Sequence, residues 1–185
     1  MILRAVEDAD LIRNARRGEV EAYNLLISRW EKRVYNYLLR IVGEREEALD
    51  LSQDVFLKAY QNLRKLEDPA RFGPWLFRIA HNEAFSAFRK RRPEVETPPE
   101  LAADEVAADQ AAAFPIELSI AVATALSRLN QEQREAVILK IYQGFKFEEI
   151  AEILACPVST VKSRLYTALD VLKGQLAPLK SRGVT

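Results

Sequence analysis

Cysteine and histidine are almost missing from this 185-residue chain, which has one of each, Cys156 and His81. An internal disulfide is therefore impossible, no Cys/His cluster can gather round a metal, and no cofactor is expected. Glycine occurs only six times, never as a phosphate-cradling loop. No run of about 18 apolar residues exists that could cross a bilayer. The first ten residues, MILRAVEDAD, turn acidic within seven positions and lack the apolar stretch of a secretion signal. A cytoplasmic protein without membrane insertion is expected. No nucleophile–base pair is visible, so catalysis is not expected, and no strand-like alternation occurs, which leaves an all-α fold.

Apolar residues make up 49% and charged residues 29%, a soluble globular composition. The zero net charge conceals an uneven distribution. Residues 1–92 carry 18 bases and 14 acids, 93–117 no base and seven acids, and 118–185 nine bases and six acids. The middle stretch, RPEVETPPELAADEVAADQAAAFPIE (Arg92–Glu117), is rich in proline, alanine and acid. It reads as a flexible acidic linker joining two small helical domains, 1–92 and 118–185.

Helical periodicity is strong in both domains. Ala22, Leu26, Trp30, Val34, Leu38 and Ile41 define a long helix over about 21–42, stopped by Gly43. Ala48, Leu51, Val55, Ala59 and Leu63 line a second over about 46–63. A third opens at Pro74, a residue suited to a first turn, and turns Leu76, Ile79, Ala80, Ala84 and Ala87 inward. DADLIRNARRG forms a shorter helix before Gly18. In the second domain a helix covers about 117–128. Asn130 followed by Gln133 marks a capping box for the next, which ends at Gly144.

Three surfaces carry candidate chemistry. EIAEILACPVSTVKSRLYTAL (Glu149–Leu169) contains two short helices joined by Ala155-Cys156-Pro157, the spacing of a helix-turn-helix. Its second helix turns Val158, Val161, Leu165 and Ala168 inward. Ser159, Thr160, Lys162, Ser163, Arg164 and Tyr166 then face outward, a hydroxylated, basic and aromatic mixture suited to phosphates and base edges. The alternative is a plain helical hairpin with a solvated face. The helix after Pro74 places Arg78, Asn82, Phe85/Ser86 and Arg89 on one side. Phe72, Trp75 and Phe77 lie nearby and Arg89-Lys90-Arg91-Arg92 closes it. Basic groups among aromatics suit single-stranded DNA, although Trp75 and Phe77 also fit a core. On the helix over 46–63, Asp50, Gln53 and Asp54 with Lys58 form a polar, net acidic face that fits either solvation or a protein partner.

Four segments in order, DLIRNARRGEVEAYNLLISRW, EEALDLSQDVFLKAYQNL, FGPWLFRIAHNEAFSAFRKR and GFKFEEIAEILACPVSTVKSRLYTAL, resemble the conserved regions of extracytoplasmic-function sigma factors. The resemblance spans about residues 10–175. It implies that the first domain is sigma region two, which recognises and opens the −10 element, and the second is sigma region four, which recognises the −35 element. It implies clamp docking of core RNA polymerase through Asp50, Gln53, Asp54 and Tyr60, with the flap as a further contact. It implies −10 contacts by Phe72, Trp75, Arg78, Asn82, Ser86, Arg89 and Lys90, with base capture near the 67–73 loop. It implies −35 contacts by Ser159, Thr160, Lys162, Ser163, Arg164, Tyr166 and Thr167. The implied partners are polymerase core, duplex and single-stranded promoter DNA, and an anti-sigma factor; the free chain is expected to be monomeric. Two departures stand out. Asn130 follows Leu129 where many relatives have proline, and after Tyr166, where the family is often basic, this chain has Thr167 and Leu169. Rival readings are a helix-turn-helix regulator that does not melt DNA and a helical protein-interaction adaptor.

Overall fold

The computed structural model describes the backbone of residues 7–91 and 116–180, and the side chains of 7–90 and 122–176. The acidic stretch read as a linker lies almost wholly outside the described residues. Among them every regular element is a helix. The first half holds α1 (Asp8–Arg16), α2 (Val20–Val42), α3 (Arg45–Asn62) and α4 (Phe72–Arg91). The second holds α5 (Ile116–Ser127), α6 (Gln131–Val137), α7 (Phe147–Leu154) and α8 (Val158–Lys180).

The boundaries follow local chemistry. Gly43 adopts the left-handed conformation (φ 77°) and donates its N–H to the Leu39 carbonyl, closing α2. The Glu44 carboxylate then accepts from the Glu46 and Glu47 N–H groups and starts α3. The capping box at Asn130 is formed in both directions: Gln133 N donates to Asn130 Oδ1 at 2.8 Å and Asn130 N to Gln133 Oε1 at 3.3 Å. Two boundaries differ from expectation. α4 begins at Phe72, because Asp68 caps a 3₁₀ turn (Pro69–Arg71) that runs directly into it. The helix entered at Asn130 widens into a π turn over Ile138–Tyr142, with Gln143 N bonded to the Ile138 carbonyl. A π turn shifts every following side chain round the helix axis, and here it presents Tyr142 and Gln143 to α2.

The inward stripes read from the sequence form the core. Leu26, Val34, Leu38 and Ile41 of α2, Ala48, Val55 and Ala59 of α3, and Leu76, Phe77, Ala80 and Ala84 of α4 are all buried. Buried residues of the second half, Ile138, Leu139, Phe145, Ile150 and Ile153, join the same cluster. A smaller core of Leu126, Leu129, Ala136, Val137, Leu165 and Ala168 belongs to the second half alone. The two halves therefore pack on each other, with α7 against α4 and α6 with its π turn against α2. Nothing in the sequence announced that arrangement.

Buried Arg134 organises the smaller core. Its guanidinium donates to the carbonyls of Leu126, Ser127 and Leu129, at and just past the end of α5. Burial lowers its pKa from the ordinary arginine value.

Candidate nucleic-acid and polymerase interfaces

The turn between α7 and α8 is tight. Ala155 sits at φ 50°, the left-handed region, and Cys156 N bonds back to the Ala151 carbonyl at 3.1 Å. Pro157 follows, and its carbonyl accepts from Thr160 and Val161 to open α8. Val161, Leu165 and Ala168 point into the fold. The opposite face exposes Ser159, Lys162, Ser163, Tyr166 and Thr167 together. Thr160 is half-buried. Arg164 is also half-buried, with one guanidinium nitrogen 2.7 Å from Glu132 of α6 and the other 3.8 Å from the Cys156 sulfur. It is therefore spoken for inside the domain, and Lys162 beside it lies 5.4 Å from the Phe147 ring centroid while staying exposed. Burial raises the Cys156 thiol pKa and the Arg164 charge partly offsets this.

On α4 the polar side predicted from spacing is present. Arg78, Asn82, Arg89 and Lys90 are exposed, and Ser86 is half-buried between them. The aromatic members divide. Trp75 is partly exposed, whereas Phe72 is 1% exposed, packed edge-on to Trp30 and tilted against Trp75. Phe72 meets no base unless that packing opens, because its ring has no free face; in this structure it is core. Phe77 is core as well.

On α3, Asp50, Gln53, Asp54 and Tyr60 are all exposed. The structure adds a feature that the acidic face did not disclose. Gln53 and Tyr60 border an open groove of about 890 Å³ between α2 and α3, floored by Ile27, Phe56 and Tyr23 and edged by Val20, Leu49 and Leu57. Leu49, Leu57 and Val20 each expose half or more of their surface. A trace of this existed in the sequence: Leu49, Gln53, Leu57 and Tyr60 recur at helical steps beside the inward stripe. Tyr23 closes the floor by donating its hydroxyl to the Phe56 carbonyl at 2.5 Å, and burial pushes its pKa well above the tyrosine range.

With this geometry in view, the likeness to known proteins is specific. Residues 26–94 match the family described as Sigma-70 region 2 and residues 119–172 match Sigma-70, region 4. The chain is 31% identical over 183 residues to the ECF RNA polymerase sigma-E factor of Haemophilus influenzae, covering 93% of this chain and 96% of that one. It is 30% identical to the Escherichia coli K12 sigma-E factor, covering 95% and 97%. Among solved structures, CnrH in complex with the cytosolic domain of CnrY superposes with a TM-score of 0.69 at 26% identity, over 92% of this chain and 97% of that one. The sigma factor RpoE of Bartonella quintana, solved in complex with the anti-sigma factor NepR, gives 0.66 at 27%, over 84% and 96%.

Proposed function

Since the chain belongs to the extracytoplasmic-function sigma factors of bacterial RNA polymerase, which direct transcription initiation, we propose how its surfaces share that work. The α2–α3 groove, with Asp50, Gln53, Asp54 and Tyr60, docks on the core enzyme's clamp. The exposed side of α4 reads and holds the −10 element, with Asn82 as the principal base reader. The outer face of α8, led by Lys162, Ser163 and Tyr166, enters the −35 major groove, and Arg164 is a positioning residue for α8 through Glu132. An anti-sigma partner of the kind bound by the Bartonella quintana relative is proposed for this chain too.

The observation that carries this reading is the separation of surfaces. The helix-turn-helix face, the basic face of α4 and the apolar groove are three distinct exposed regions of one chain. A simple DNA-binding regulator needs the first alone; an adaptor needs only the groove.

The energetics fit a division of labour with polymerase. Opening about ten base pairs costs on the order of 14 kcal/mol at about 1.4 kcal/mol per step. A base stack on an aromatic returns about 1–3 kcal/mol, and Trp75 and Phe85 are the partly exposed aromatics among those named for the DNA-binding side of α4. The chain therefore captures an opened strand and leaves most of the opening to the core enzyme.

Reconstitution with purified core polymerase on a randomised promoter pool tests the assignment. Asn82→Ala is expected to flatten base preference at one −10 position by about 1–3 kcal/mol, the worth of a bidentate base contact, with core binding unchanged. Lys162→Ala is expected to weaken −35-dependent initiation on all sequences and to lower the salt slope by about one. Unchanged −10 preference in Asn82→Ala would remove that residue from the site.

A further inference from the structure

The first helix, α1, precedes the residues that match Sigma-70 region 2, so the family match gives it no task. Its placement is nonetheless closely specified. Leu11, Ile12 and Ala15 are buried. Asp8, in its first turn, accepts from the Trp30 indole N–H at 2.9 Å and from Arg29 at 2.7 Å, which ties α1 to α2. Two backbone bonds close the other end: Glu19 N donates to the Asn14 carbonyl at 3.2 Å and Gly18 N to the Ala15 carbonyl at 3.0 Å. A helix of nine residues does not stand alone in water, so these ties decide where its side chains point.

Arg16 is the half-buried residue at the edge of this buried stripe. Its guanidinium meets residues 47 and 50 positions further along the chain. Nε donates to the Leu63 carbonyl at 3.1 Å, and Nη2 donates to the Leu66 carbonyl. Leu63 opens a 3₁₀ turn (Leu63–Lys65) that continues α3, and its carbonyl also accepts from Leu66 N at 3.3 Å. The end of a helix leaves carbonyls without partners and carries partial negative charge. A guanidinium answers both needs, because it is cationic and its planar fork spans two acceptors.

The link from α3 to α4 therefore hangs from α1. Leu63 and Leu66 bury their side chains while Arg16 grips their carbonyls. The far side of the link is folded on itself: Asp68 Oδ1 accepts from Ala70 N at 2.9 Å and the Asp68 carbonyl from Arg71 N at 3.0 Å. α1 packs against both 3₁₀ turns. Between these fixed points Glu67, Asp68 and Ala70 stay exposed, directly before α4.

We propose that Arg16 is a positioning residue for capture of the opened −10 strand: it pins the carbonyls of Leu63 and Leu66, and so sets the 67–71 loop in place before DNA arrives. The inference rests on the reading that this loop and the exposed side of α4 take that strand. A loop ordered beforehand pays no ordering cost on binding. Arg16 touches no base and is not among the residues lining the α2–α3 groove. Its loss therefore falls on strand capture and spares core docking.

Two measurements on the full chain test the anchor. The first is amide hydrogen exchange in the free protein. Arg16→Ala is expected to speed exchange at Leu66, Ala70 and Arg71 about tenfold, the scale of one charge-assisted hydrogen bond, with the amides of α2 unchanged. Arg16→Lys keeps a charge at the helix end but loses the fork, and is expected to fall between. Wild-type exchange of the loop in Arg16→Ala, or a lysine variant equal to wild type, overturns the two-carbonyl anchor. If Arg16→Ala loses its helical circular dichroism, the lysine variant decides alone.

The second uses holoenzyme reconstituted with core polymerase and a forked probe made from a promoter selected out of the randomised pool, its −10 strand left unpaired. Arg16→Ala is expected to hold this probe about tenfold more weakly, with wild-type affinity for core. Arg13 pairs with Asp10 on the exposed side of α1, and Arg13→Ala is expected to match wild type in both. Unchanged probe affinity in Arg16→Ala, or an equal loss in Arg13→Ala, overturns the proposal. Failure of the wild type to prefer the forked probe over one with a scrambled −10 strand defeats the reading on which the inference rests, and the exchange rates still judge the anchor.

Discussion

Gly73 shows how narrowly a single position is set. A Cβ built there would lie 2.7 Å from Cη2 of Trp30 and 3.6 Å from Phe145. Trp30 has little room to retreat, because its indole N–H donates to Asp8 at 2.9 Å and its ring is flanked by Phe72 and Arg33. Gly73→Ala is therefore expected to cost about 1–3 kcal/mol through overpacking, read as a lowered urea midpoint with an unchanged slope. Phe145 belongs to the second half, and the same methyl would meet it at ordinary van der Waals distance, so the strain falls on Trp30. The sequence placed Gly73 in a candidate base-capture loop; only the packing shows that its missing side chain makes room for an indole. Arg164 teaches the converse. Spacing puts it on the outer face of α8, yet its pairing with Glu132 draws it against the fold.

At the scale of elements, α3 has two working faces. Ala48, Leu51, Val55 and Ala59 bind it to the core, and Leu49, Gln53, Leu57 and Tyr60 border the groove. Its periodicity alone does not distinguish a face that packs in the monomer from one that waits for a partner. Leu57 is 56% exposed, so Leu57→Asp is expected to leave folding stability within about 0.5 kcal/mol. If the groove docks core polymerase, the same change is expected to weaken that binding by about 2 kcal/mol or more, roughly 30-fold, in a fluorescence titration with core enzyme. Wild-type affinity in Leu57→Asp would detach the groove from the docking surface. The helix-turn-helix was legible because its determinants are local: a tight link, a proline, and an apolar stripe at steps of three and four. The π turn was not legible, since Ile138–Tyr142 has an ordinary helical composition and its widening accompanies contacts made to α2.

Across the whole molecule, one buried cluster of the described residues runs from α1 through α4 into the π turn, α7 and the start of α8. Heating is therefore expected to unfold the wild type in one cooperative calorimetric transition, as a shared core requires. Glu135→Lys, at the seam where Glu135 meets Tyr37 and His81 of the first half, is expected to split it into two, the second half melting at the lower temperature because its private core is small. A two-step wild-type transition would show that the seam contributes little to stability. Every residue lining the groove belongs to the first half.

The eight α-helices of the described residues, the caps at Gly43 and Asn130, the two-part division and the sigma-factor family were determined by sequence, because each rests on interactions between residues a few positions apart or on motifs in fixed order. Tertiary structure alone decided the groove, the burial of Phe72 and the seam. Tyr37 and Glu135 stand 98 positions apart, and His81 and Glu135 stand 54 apart. No periodicity couples residues at such separations; the pairing exists because two amphipathic surfaces, each legible alone, bury one another.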